Sequence, residues 1–393
     1  MTLPGINHIL AQPDKHLKGK TVGLIVNHTS LASDYKHSIE HLKSHPSFKL
    51  NALFGPEHGL YGIAQDMIEI KNEVDPVSGL TISSLYGKTE ETLQPDPDAL
   101  SEVDNLIFDI QDVGARYYTF IYTMAKCMVI CKESDTRMIV CDRPNPINGI
   151  NLEGNLVQEG FRSFVGQYSL PNRHGMTVGE LALYFNHEIE IGCELKVVPM
   201  TQWNREQWFD ETGLPWVPPS PNIPSLDTAI VYPGMCLIEG TQLSEGRGTT
   251  HPFEIFGAPY IDPHKLVKRM ENDLEKLPGV LFRPHFFQPM FQKYGNEVCG
   301  GLQIHVTNRK QFKPLLTTLA LIRAIVELYP NDFKWRTEPY EFVSDRLAID
   351  LLYGNTHLRK AVFKDTFSLN EMEQSWQDDL NSFKEIRDNY LIY

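Results

Sequence analysis

Short apolar runs recur along the amino-terminal part of the chain, and each breaks off at a clump of glycine, proline and ionisable side chains. Thr21 to Val26 runs into Asn27-His28, Leu50 to Phe54 into Gly55-Pro56-Glu57-His58-Gly59, and Leu80 to Leu85 into Tyr86-Gly87. Leu106 to Ile110 then runs into Gln111-Asp112-Val113-Gly114, and Met138 to Cys141 into Asp142-Arg143-Pro144-Asn145-Pro146. Runs this short and this uniformly apolar suit strands buried on both faces. Between them, Tyr35 to His45 and Thr119 to Glu133 read as helices, the first with Ile39 and Leu42 on one face. The alternation predicts an α/β fold: a Rossmann-like, mainly parallel sheet with helices on both faces. Ligands of such sheets sit beyond the carboxyl ends of the strands, so the residues at these ends are expected to share one site.

A chain of 393 residues exceeds the size at which single cores usually stop growing, so two domains are expected. Prolines 215, 218, 219, 221, 224 and 233 crowd into a stretch that reads as an extended connector, because proline continues neither ladder. The boundary is placed near residue 228, giving an amino-terminal catalytic domain of residues 1–228 and a smaller α+β domain of 229–393. Helices at His264 to Lys276, Leu315 to Leu328 and Asn370 to Arg387, with strands at Val280 to Phe282 and Leu302 to Val306, make up the second. The net charge of −14 opposes binding to nucleic acid. No apolar stretch reaches a membrane span, and the first residues lack a secretory pattern, so a cytoplasmic protein is expected from the sequence as written, and a periplasmic or secreted one if a leader has been trimmed from it. Scattered Cys127, Cys131, Cys141, Cys193, Cys236 and Cys299 read as buried free thiols.

Glu57, presented from the stiff Pro56-Glu57-His58-Gly59 turn, suits a general acid; the plainer alternative is a carboxylate that caps a helix or pairs with lysine. Asp109 and Asp112 point to opposite faces if the strand persists, which makes one of them structural. Asp142 and Arg143 read first as an ion pair or turn closure. Glu153 is the natural second carboxylate. His174 stands just before a Thr177/Glu180 capping-box spacing, as an anion contact or a turn residue. His28, His58, His174 and His251 have no metal-ligand spacing, and the glycines of residues 239–250 follow no phosphate-loop order. Neither metal nor cofactor is expected. Carboxylates, arginines and aromatics such as Tyr118 remain, and that mixture suits a sugar, whose ring packs on aromatic faces and whose glycosidic bond two acids can break.

The same motifs, with Pro219-Ser220-Pro221-Asn222 and the run from Glu239-Gly240-Thr241 to Glu245-Gly246-Arg247-Gly248-Thr249, resemble the exo-β-N-acetylmuramidase family of NamZ-type glycosidases. The resemblance extends from about residue 18 to the terminal Tyr-Leu-Ile-Tyr. It implies a Rossmann-like domain, a smaller carboxyl-terminal domain, and a cleft between them where N-acetylmuramic acid is released from the non-reducing end of peptidoglycan fragments. By motif, Glu57 is the catalytic glutamate, with Glu153 second and Asp112 available to polarise the 2-acetamido group of the substrate. His58, Arg116, Tyr118, Arg143, His174, Asn222, Glu239, Glu245 and Arg247 are the expected substrate contacts. N-acetylmuramic acid carries a lactyl carboxylate, so one of Arg116, Arg143 and Arg247 is expected to grip it. The expected partner is a peptidoglycan-derived disaccharide or short glycan, with no nucleic acid or membrane. Two other classes stay open: a non-catalytic muropeptide-binding protein, and a phosphosugar or nucleotide enzyme on the same sheet.

Overall fold

In the computed structural model, which describes residues 1–65 and 67–393, the amino-terminal runs become strands of one seven-stranded sheet. They are β1 (Thr21–Val26), β2 (Lys49–Gly55), β3 (Glu73–Val74), β4 (Thr81–Ser84), β5 (Asn105–Asp109), β6 (Arg137–Cys141) and β7 (Leu195–Val198). Their order is β3-β4-β2-β1-β5-β6-β7, parallel throughout except for the edge strand β3 against β4. Side chains of a strand alternate between faces, and both faces here are cores. Val22, Leu24, Val26, Ile107 and Ile139 point into one, and Ile25, Leu106, Phe108, Met138 and Val140 into the other. Helices Gly5–Ala11 and Ser38–Lys43 cover the first face, while Phe120–Glu133 and Val178–His187 cover the second.

The strand order reverses between β1 and β5, the place where sheets of this kind bind nucleotides. Here that crevice keeps only a small pocket lined by Thr29, Leu31, Gln111 and Arg143, and two contacts bridge it. Arg143 Nε donates to Asp109 Oδ1 at 2.6 Å with both side chains buried, and the Gln111 N–H donates to Thr29 Oγ1 at 3.1 Å.

A second, smaller sheet is antiparallel, with β8 (Ile255–Ala258), β9 (Val280–Phe287) and β10 (Cys299–Val306) in the order β8-β10-β9. Helix Pro263–Met270 packs on it, and Pro314–Leu328 packs on that helix. One apolar cluster runs without a break from Phe120–Glu133 in the first half to Pro314–Leu328 in the second, so the halves share a core. All six cysteines are free and buried. No helix among the described residues is long and apolar enough to cross a membrane.

Several elements differ from expectation. The extended connector ends at Ser225, whose side chain accepts the Thr228 N–H and starts the helix Leu226–Met235. Pro233 falls in its last turn and removes the N–H that would reach the Ala229 carbonyl, yet the helix persists because it packs on Pro314–Leu328, so tightly that a Cβ at Gly234 would stand 1.9 Å from the Pro314 carbonyl oxygen. The expected helix Tyr35 to His45 shortens to Ser38–Lys43, because Tyr35 sits at φ 69 and His37 caps the first turn. His264 to Lys276 is α-helical over Pro263–Met270 and continues as a 3-10 helix, and Asn370 to Arg387 divides into Leu369–Gln374 and Gln377–Arg387.

Candidate active site

Beyond the end of β2 the backbone turns sharply. The Gly59 N–H donates to the Pro56 carbonyl at 2.9 Å, with His58 at φ 68 and Gly59 at φ 77. A left-handed histidine is unfavourable and persists only where its surroundings impose it; here His58 Nδ1 lies 2.9 Å from the Ala64 carbonyl oxygen and its ring meets Phe120 edge-on. The turn places Glu57, which is 5% exposed, in the wall of a cavity of about 510 Å³ counting its open mouth. Thr119 Oγ1 donates to Glu57 Oε2 at 2.7 Å. Thr119 also opens the helix Phe120–Glu133, so the positive end of that helix faces the same space.

Residues from both halves complete the cavity. Tyr118, Tyr232 and Phe253 form an aromatic wall, with ring centroids 6.0 Å apart for the first pair and 4.9 Å for the second. Asn222, reaching in from the proline-rich loop, donates to Gln65 Oε1 at 2.9 Å. Opposite lie Glu239, Arg247, Tyr340 and Glu341. Arg247 Nη2 is 3.1 Å from Glu239 Oε1, Nη1 is 3.5 Å from Glu245 Oε1, and the guanidinium lies over the Phe253 ring. Tyr340 donates to Glu239 Oε2 at 2.8 Å, and Lys293 pairs with Glu245 at 2.9 Å. Burial works to raise the Glu245 acid, but Lys293 and Arg247 outweigh it and hold the carboxylate below its ordinary range. Burial pushes the hydroxyls of Tyr118, Tyr232 and Tyr340 far above their usual range, so all three are neutral hydrogen-bonding groups.

The cavity brings together Glu57, His58, Tyr118, Asn222, Glu239 and Arg247, with Glu245 behind Arg247. The other expected site residues lie outside its wall. Glu153 belongs to the interface between the halves: its two oxygens accept the Leu315 and Leu316 N–H groups at 3.1 and 2.9 Å, capping the helix Pro314–Leu328. Arg116 is fully buried and donates to the carbonyls of Asn155, Leu170 and Leu352, which leaves it facing backbone. The Arg143 guanidinium is taken by Asp109 and by the Leu31 carbonyl, not by Asp142, while Asp142 Oδ1 accepts the Arg143 N–H at 3.0 Å, a turn closure in place of an ion pair. Asp112 accepts the Gly114 N–H at 2.7 Å and stands 3.5 Å from His174 Nε2, with both side chains buried behind the cavity wall. Asp142 also accepts from Thr177, Gly179 and Tyr393. Among the described residues no group of acidic, histidine or cysteine side chains is arranged to hold a metal ion.

Sequence reasoning missed Thr119, Tyr232, Phe253, Tyr340 and Glu341. The signal at Thr119 was its place immediately before a buried helix. That at residues 340 and 341 was the compact run Glu338-Pro339-Tyr340-Glu341-Phe342, a turn-forming proline followed by aromatic and acid.

The chain is a glycoside hydrolase by its family, with an acid-lined, aromatic-walled pocket beyond the strand ends of its Rossmann-like sheet. The models of the exo-β-N-acetylmuramidase NamZ amino- and carboxyl-terminal domains match residues 22–227 and 230–393, and the chain belongs to that family. It is 45% identical, over 99% of its own length and 91% of the relative's, to the peptidoglycan β-N-acetylmuramidase NamZ of Bacillus subtilis. Two crystal structures of DUF1343 family proteins from Bacteroides fragilis superpose over 100% of this chain and 99% of theirs. Their TM-scores are 0.87 and 0.76, at 34% and 29% identity.

Proposed function

We propose that this chain is an exo-acting glycosidase that releases N-acetylmuramic acid from the non-reducing end of peptidoglycan fragments by cleaving its β-1,4 bond to N-acetylglucosamine. The observation that carries the reading is Glu57, held by Thr119 in the wall of a pocket that takes aromatic and charged side chains from both halves of the chain. A pocket, unlike an open groove, admits the end of a glycan and suits removal of one terminal sugar. In this reading Glu57 protonates the leaving oxygen, and the aromatic wall receives the apolar face of the ring. Arg247 receives the lactyl carboxylate, its plane fixed by Glu239 and Glu245. A phosphosugar or nucleotide fits less well, because the Arg143 guanidinium at the strand-order reversal is already paired with Asp109 and carboxylates line the pocket.

The test is turnover of chromogenic β-glycosides of N-acetylmuramic acid and N-acetylglucosamine, side by side, by the whole chain and by Glu57→Gln. The muramic glycoside is expected to be cleaved far faster. Glu57→Gln is expected to lose about 10²- to 10⁴-fold on a poor leaving group while melting with the parent. Binding without cleavage, or undiminished turnover of the poor-leaving-group glycoside by Glu57→Gln, would overturn the reading.

A further inference from the structure

With Glu153 capping a helix, the pocket's second carboxylate must come from elsewhere. We infer that it is Glu341, carried by the carboxyl-terminal half; this rests on the glycosidase reading above. Glu341 is buried and lines the same cavity as Glu57. Its backbone is at φ 45 and that of Phe342 at φ 67, two successive left-handed residues where neither is glycine. Such conformations are uphill and concentrate where a side chain must be aimed. The turn is locked by reciprocal bonds, Tyr340 N–H to the Val343 carbonyl at 2.9 Å and Val343 N–H to the Tyr340 carbonyl at 3.0 Å. It is also gripped on both flanks. Tyr340 donates to Glu239, while the Phe342 ring packs on Tyr86 and Phe164 at 5.9 and 6.2 Å between centroids. Tyr86, just beyond β4, donates to Glu341 Oε2 at 3.2 Å and holds the carboxylate from the amino-terminal half.

Glu239 faces Arg247 at salt-bridge distance and accepts from Tyr340, so its charge is matched by the guanidinium it orients. Glu57 is held by a threonine hydroxyl and Glu341 by a phenol, each on a different half of the chain. As the bond from C1 to the leaving oxygen breaks, its electron pair goes to that oxygen together with the proton of Glu57. Positive charge develops at C1 and the ring oxygen, and the Glu341 carboxylate stabilises it. Water then supplies a hydroxyl to C1 and a proton that restores the acid.

The two roles separate on a series of aryl β-glycosides of N-acetylmuramic acid running from phenyl to 2,4-dinitrophenyl. A strongly activated leaving group needs no acid, so the loss in Glu57→Gln should shrink towards nothing at the dinitrophenyl end. Stabilisation of charge at C1 is needed for every leaving group, so Glu341→Gln should lose about 10²-fold or more in kcat across the whole series, with KM within a few-fold. Formate should restore part of the kcat of Glu341→Ala, which a purely structural glutamate would not allow. If Glu341→Gln turns over like the parent, if its loss fades with leaving-group activation, or if a folded Glu341→Ala ignores formate, the assignment is overturned. An inert parent chain would instead fell the glycosidase reading and this assignment together.

Discussion

Replacing Glu153 by glutamine should alter stability and leave catalysis alone. The carboxylate is buried between the halves and accepts two N–H groups of the helix Pro314–Leu328, Leu315 at 3.1 Å and Leu316 at 2.9 Å. Burial raises its pKa from 4.5 to about 7, and the two N–H bonds only partly oppose that. A folded pKa above the unfolded one means that the native state holds the proton between pH 4.5 and 7 while the unfolded state does not. Stability from this group is therefore complete below pH 4.5 and declines until about pH 7. At 1.36 kcal/mol per unit, the decline amounts to about 3 kcal/mol. Glutamine cannot ionise and keeps one acceptor oxygen, so the gap between parent and Glu153→Gln should shift by that amount in the variant's favour across the window. Near pH 5 the variant should lie within ~1 kcal/mol of the parent, and Glu153→Ala, which strands two buried N–H groups, should cost roughly 2 to 4 kcal/mol. Urea unfolding at pH 5, 6, 7 and 8 measures the gap, and aryl-glycoside turnover measures kcat. A constant gap with kcat down a hundredfold or more would refute the argument and return Glu153 to the active site.

Arg247→Lys keeps the charge that Glu239 and Glu245 require but loses the flat fork. Its preference for muramic over glucosamine glycosides should fall roughly tenfold, the worth of one charge-assisted hydrogen bond, and an unchanged kcat/KM ratio would remove Arg247 from selectivity. Arg116→Met should leave that ratio intact and instead cost about 3 kcal/mol or more, because three buried carbonyls lose their donor; denaturant titration reads it. Burial and the neighbouring Glu180 raise Asp142 to about 7, opposed by hydrogen bonds that include the one from Tyr393. Tyr393→Phe should therefore destabilise the chain by ~1 kcal/mol or more, and more at pH 8.5, where Asp142 is ionised, than at pH 5.

The strands β1, β2, β5 and β6 could be read from the chain because two cores demand apolar residues on both faces, leaving an unbroken signal. The strand β7 gave none: three of its four residues are only half-buried and one is Lys196, so no run or alternation marks it. Helix Leu226–Met235 was hidden by Pro233, which reads as a breaker and is tolerated only because the helix is buried against Pro314–Leu328, far along the chain. At the site, Glu57 was legible because a single strand and its own turn present it. Glu153 and Arg116 misled because their partners, Leu315, Leu316 and Leu352, lie far along the chain. The same distance hid Glu341, which reaches the pocket from the other half.

The bond from Tyr393 to Asp142 joins residues 251 positions apart. At translation rates of about 5–20 residues per second, Asp142 leaves the ribosome roughly 12 to 50 s before its phenol partner exists. During that interval a buried acid of the first sheet stands open beside Thr177 and Gly179, and the amino-terminal half must wait in a state looser than its final one. The packing of an early-made acid is thus completed by a side chain made much later.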